Sequence, residues 1–127
     1  MTQDDLNTIL SEKNSEIFAA FTSQANGTDS GFLSPSKNFH LNDSMDDFNA
    51  YSMGYQSMLA QGKASRYIKV KEGIALVTAD ELRIILVEMV VYGDNLWQKR
   101  EYLFSLVDST TLEEYEADPT CLDGVVW

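Results

Sequence analysis

From residue 82 to residue 107 the chain keeps one apolar stripe at helical spacing: Leu82, Ile85, Leu86, Met89, Leu96, Leu103 and Val107. No other segment constrains the fold as much. Ile84, Val87, Val90, Val91, Trp97 and Phe104 widen the stripe, so the first half of the segment is apolar nearly all round. A helix of that kind belongs at the centre of a core or in an oligomer interface. Its start is marked by Thr78-Ala79-Asp80-Glu81, a capping box in which threonine and glutamate satisfy each other's amides. The spacing predicts a helix over about 79–107, with a bend at Gly93-Asp94.

The residues just before it carry the clearest strand signal. Tyr67, Ile68 and Val70 lead into Lys71-Glu72-Gly73, and Ile74, Leu76 and Val77 follow, which reads as a hairpin over about 66–77 with glycine at the turn. Two strands alone are marginal and need a helix or a third strand beneath them. The expected fold class is therefore α+β: a small antiparallel sheet packed on the long helix.

Upstream, residues 4–25 read as a helix through Leu6, Ile9, Leu10, Ile17, Phe18 and Phe21. Lys13 and Asn14 interrupt that stripe, so the helix packs at two points or docks on another chain. Asn26-Gly27 is a C-terminal stop and opens a turn-rich connector, 26–44, in which Phe39-His40-Leu41 alternates like a short strand. Ser44 with Asp46 and Asp47 starts a further helix that Gly54 weakens and Gly62 ends. Thr110-Thr111-Leu112-Glu113 opens a short one before Pro119. The expected organisation is an N-terminal helix at 1–26, with room to stand apart as an arm, and a compact α+β body at 27–127, one domain overall.

The 127 residues hold 20 acids and 9 lysines and arginines, a net charge of −11. Such a surface repels phosphate backbones, so direct nucleic-acid binding is not expected. No run of about 18 apolar residues exists, so no membrane span is expected. The acidic start, Met1-Thr2-Gln3-Asp4-Asp5, has neither the basic residues nor the apolar run of a targeting peptide. One cysteine, Cys121, makes no internal disulfide and suits a reducing cytoplasm. The charge is uneven: residues 63–77 carry four bases and one acid. The strip Lys63, Arg66, Lys69 and Lys71 reads as a hairpin edge guarded by cations, or as an anion site.

Catalytic patterns are missing. His40 and Cys121 are a lone imidazole and a lone thiol with no orienting third group. Asp43, Asp46 and Asp47 lack the spacing of a calcium loop and read as a helix cap with a solvated acidic turn. No phosphate-cradling glycine loop and no nucleophile elbow occurs, so neither a cofactor nor an enzyme activity is expected.

Four features of residues 62–116 are similar to one known domain family: the Arg66-Tyr67-Ile68-Lys69 strand, the Val77-Thr78-Ala79-Asp80-Glu81-Leu82 helix opening, Tyr92-Gly93-Asp94-Asn95-Leu96-Trp97, and Thr110-Thr111-Leu112-Glu113-Glu114. The stretch resembles a domain of unknown function found at the C-terminal end of tail-fibre-associated proteins of tailed phages and prophages. The resemblance implies a phage-encoded, non-enzymatic protein of the host cytoplasm or the virion, with a structural or accessory role in tail or virion assembly. It supplies no functional residues. The alternative is a small acidic inhibitor of a host defence or nucleic-acid-handling protein, whose carboxylates take the place of phosphates. Either way a protein partner or self-association is expected. The apolar residues best suited to such contact are Leu6, Leu10, Phe21, Trp97, Val125, Val126 and Trp127.

Overall fold

Thr2 caps the first helix, α1 (Gln3–Ala25). Its hydroxyl accepts the Asp5 amide at 3.2 Å, and the Asp5 carboxylate accepts the Thr2 amide at 2.8 Å. The computed structural model describes residues 1–25 and 31–127. The stop expected at Asn26-Gly27 lies outside the described residues. Next come two short strands, β1 (Phe32–Leu33) and β2 (His40–Leu41), paired antiparallel with Phe32 opposite Leu41.

Ser44 then caps α2 (Met45–Gln61), its hydroxyl accepting the Asp47 amide at 3.2 Å. Gly62 ends α2 at φ 64°, a left-handed conformation that costs glycine nothing and other residues about 1 kcal/mol or more. The hairpin follows as β3 (Ser65–Val70) and β4 (Gly73–Thr78), with Arg66 opposite Val77, Tyr67 opposite Leu76 and Lys69 opposite Ile74. The chain passes straight into α3 (Ala79–Asp108). The capping box forms: Glu81 accepts the Thr78 amide at 2.9 Å, and the Thr78 hydroxyl accepts the Glu81 amide at 3.1 Å. The last helix, α4 (Leu112–Ala117), takes its cap from Thr111, paired with Glu114.

The fold is α+β, as the sequence predicts, and it holds two cores. One compact unit comprises residues 23–94. There the inward side of the hairpin, Ile68, Val70 and Val77, packs with Leu82, Ile85 and Met89 of α3 and with Tyr51 and Met58 of α2. The Tyr51 hydroxyl donates to the Lys69 carbonyl at 2.6 Å, which ties α2 to β3. Phe32 stacks on Tyr92, ring centroids 4.6 Å apart.

The other unit comprises residues 1–22 and 95–127. Its core is Ile17 of α1, Leu103 and Val107 of α3, and Leu122 of the tail. The N-terminal helix therefore does not stand apart as an arm, because Ile17 completes a core that residues 95–127 supply. The polar break at Lys13-Asn14 is used: Asn14 donates to Asp108 of α3 at 2.9 Å, between the two buried points Leu6 and Ile17.

Candidate functional site

An antiparallel hairpin with one face on a core ordinarily turns polar residues to water on the other. The β3–β4 hairpin does so only in part, through Ser65, Lys69 and Thr78. Its inward face is apolar apart from Arg66, which lies opposite Val77, and its outward face also carries Tyr67, Leu76 and Ile74, exposed at 69%, 56% and 75%. Tyr67 and Leu76 are directly opposed, and Ile74 sits opposite Lys69, so the three form one short ladder. On α3 of the same unit, Ile84, Val87, Val90 and Val91 also face solvent. The segment read as apolar all round is thus buried on one side only.

Beside the ladder lies a groove of about 580 Å³ where the end of α2 meets the start of β3. Ser57, Lys63, Ser65 and Arg66 supply its polar wall, and Tyr67 and Leu76 its apolar wall. Gly54 explains how Arg66 reaches its position. A Cβ there would lie 2.7 Å from Arg66 Nη1 and 2.8 Å from Cζ, so the guanidinium rests against a stretch of α2 that glycine leaves bare. Among the described residues neither Lys63, Arg66 nor Lys69 forms an ion pair, whereas Lys37 pairs with Glu81 and Arg83 with Asp80.

The remaining chemical candidates serve structure. His40 is bound to Glu72 through both its amide and its ring, and those hydrogen bonds hold the Glu72 carboxyl below its usual range. Lys37, and then the Thr78 amide, do the same for Glu81. Asp47 accepts the Ser44 hydroxyl at the α2 cap. Burial pushes the Asp43 carboxyl up, opposed by its own backbone amide and then by the charge of Lys71. Cys121 is an exposed thiol. Among the described residues no three histidine, cysteine, aspartate or glutamate side chains converge as metal ligands, and no helix is long and apolar enough to cross a membrane.

The apolar residues singled out from the sequence divide sharply. Leu6 is fully buried and so has no surface to offer a partner. Leu10, Phe21, Val125 and Trp127 are half-buried; Phe21 meets Trp127 edge-on at 5.8 Å and carries the Arg100 guanidinium over its ring. Trp97 and Val126 remain exposed. The surface that the sequence list omits is Tyr67, Ile74 and Leu76. Its signal lies in β4, where Ile74 and Leu76 alternate with Ala75 and Val77 so that both sets are apolar, which a half-solvated strand does not need. The chain matches no protein-family model, and no curated protein or solved structure matches it.

Proposed function

We propose that this chain is a non-enzymatic protein that acts by protein–protein contact through the outward face of its β3–β4 hairpin. The observation that carries the reading is the ladder Tyr67, Leu76 and Ile74, apolar and open on a hairpin whose other side already has a core. Covering it yields roughly 25 cal/mol for each Å² of apolar area, so a partner or a second copy gains from sitting there. The resemblance of residues 62–116 to phage tail-fibre-associated domains supports a structural or accessory role in tail or virion assembly, in the host cytoplasm or the virion.

The test is Ile74→Glu with Leu76→Glu, two solvent-facing changes that leave the core intact. Light scattering after size exclusion, with and without material co-purified from phage-infected cells, reads the outcome. A complex or oligomer of the wild-type chain that the double variant loses supports the reading. A strict monomer in both proteins, or association that the variant keeps, overturns it.

A second reading has its own observation. Residues 1–22 and 95–127 carry eleven acids against three bases, a net −8 of the total −11. Those three bases are already engaged: Lys13 with Glu16, Lys99 over Trp127, and Arg100 with Glu101 and over Phe21. Beyond Glu16 and Glu101, which pair with two of those bases, the acids of this unit outnumber the cations it holds. That arrangement favours a charge mimic that occupies the basic groove of a nucleic-acid-handling host protein. Complex formation with such a protein falls steeply with added salt if this reading holds and is indifferent to it if not.

A further inference from the structure

We infer that the groove at the α2–β3 junction binds a carboxylate-bearing segment of a protein partner, its acids on Lys63 and Arg66 and its apolar side chains on Tyr67 and Leu76. The inference rests on the reading that the hairpin is a contact surface, and it adds the chemistry of what lies there.

Three observations converge on the groove. Charge comes first. The chain holds 20 acids for 9 bases, so an available carboxylate is the common case for any of its cations. Lys63, Arg66 and Lys69 nonetheless have no ion-pair partner among the described residues, while Lys37 and Arg83 of the same unit do. Two of these unpaired cations, Lys63 and Arg66, line the groove, while Lys69 lies on the outward face of β3. Placement comes second. Glycine inside a helix costs about 1 kcal/mol relative to alanine. At position 54 it admits the Arg66 guanidinium against the helix backbone, so the side chain that binds carboxylates in a two-pronged fork is positioned before any ligand arrives. Ser57 and Ser65 add hydroxyls to the same wall.

The apolar wall is the third observation, and it selects the source of the oxyanion. A free phosphate or carboxylate ion would meet the cations but gain nothing from Tyr67 and Leu76. A strand-like segment that alternates acidic and apolar side chains would meet both walls at once. A nucleic acid offers phosphates too, but it must approach a molecule of net charge −11.

The experiment uses the full chain, isotope-labelled, with amide shifts followed by NMR at Ser57, Lys63, Ser65, Arg66 and Tyr67. Four probes are titrated to the same concentration: a capped peptide alternating glutamate and leucine, one alternating glutamate and serine, inorganic phosphate, and a single-stranded oligothymidylate. The glutamate–leucine peptide is expected to shift these amides saturably and more tightly than the other three. Lys63→Gln with Arg66→Gln is expected to weaken it about tenfold or more while leaving the remaining spectrum in place. Equal response to phosphate makes the groove a small-anion site and overturns the inference. Stronger response to the oligonucleotide, no response to the peptide, or unchanged affinity in the double variant also overturns it. If Ile74→Glu with Leu76→Glu abolishes partner binding while the groove ignores the peptide, the contact reading stands and this inference alone fails.

Discussion

Gly54 faces two opposed demands. As a buried residue inside α2 it lowers helix stability relative to alanine by about 1 kcal/mol. As the floor under Arg66 it leaves space that a methyl group would fill. The obstructing atoms are the far end of a flexible side chain, which swings away at little cost. Gly54→Ala is therefore expected to leave the thermal midpoint unchanged or raise it by a few degrees, while the Arg66 side chain leaves the groove and anion affinity drops. A fall in midpoint of more than a few degrees would mean that the guanidinium cannot move. Asp43 makes the second prediction at this scale. Burial raises its carboxyl above the ordinary aspartate value, and its own backbone amide and then Lys71 only partly offset this. The folded chain then holds this proton more tightly than the unfolded chain. Ionisation penalises the fold, and stability from this group is lost as pH rises through the raised value. Asp43→Asn should raise the thermal midpoint by a few degrees near pH 7 and match the wild type near about pH 3, where the carboxyl is neutral in both states. Glu72 and Glu81 act in the opposite sense, losing stabilisation as pH falls, but they do so in both proteins and cancel in the difference. A lower midpoint for the variant at pH 7 would show that the backbone hydrogen bond and the attraction to Lys71 together outweigh desolvation.

At the scale of elements, the turn between β1 and β2 depends on one carboxylate. Glu88 of α3 accepts the Ser34 hydroxyl at 2.7 Å, the Ser36 amide at 2.9 Å and the Ser36 hydroxyl at 2.8 Å. Ser34 is fully buried, so its hydroxyl has no water to turn to. Glu88→Ala should cost about 2 kcal/mol in urea unfolding, against a few tenths for removing an exposed acid such as Asp94. Equal effects would mean that the turn holds without the clamp. The same contrast explains what could be read from the sequence. The capping box at Thr78, the cap at Ser44, the stop at Gly62 and the hairpin turn at Gly73 are decided by neighbours within four residues, and all appear where the sequence places them. The β1 strand is not legible in the sequence because its pairing with β2, the stacking of Phe32 on Tyr92 and the Glu88 clamp hold it, and the last two reach across more than 50 residues. The groove was legible only in part. Its cations stand in a row in the sequence, but the seat that Gly54 offers Arg66 is a contact between a helix and a strand, and no local spacing encodes it.

For the whole molecule the open question is cooperativity, because two apolar clusters share one helix. The cluster around Ile85 draws on residues 32–89, and the one around Ile17 on α1, the later turns of α3 and the tail. Their polar surroundings differ as well: residues 23–94 carry nine acids and six bases, close to balance, while the other unit holds the −8. Ile17→Ala and Ile85→Ala each remove a buried side chain and should each cost roughly 2–5 kcal/mol within the affected cluster. Native-state hydrogen exchange then separates two cases. If each cluster opens by itself, Ile17→Ala speeds exchange in α1, in α3 after residue 95 and in α4, and leaves the hairpin amides at wild-type rates, while Ile85→Ala does the reverse. The expected outcome is this local pattern, because among the described residues none belongs to both clusters and repulsion among eight excess negative charges weakens one unit without touching the core of the other. Equal acceleration everywhere in either variant would mean that α3 transmits the loss along its length and the chain unfolds as one. The distinction bears on the proposed contact surface. Under local opening, the hairpin and its groove keep their shape while the acidic unit frays, so Ile17→Ala should bind a hairpin-directed partner as the wild type does and lose only what the acidic unit recognises.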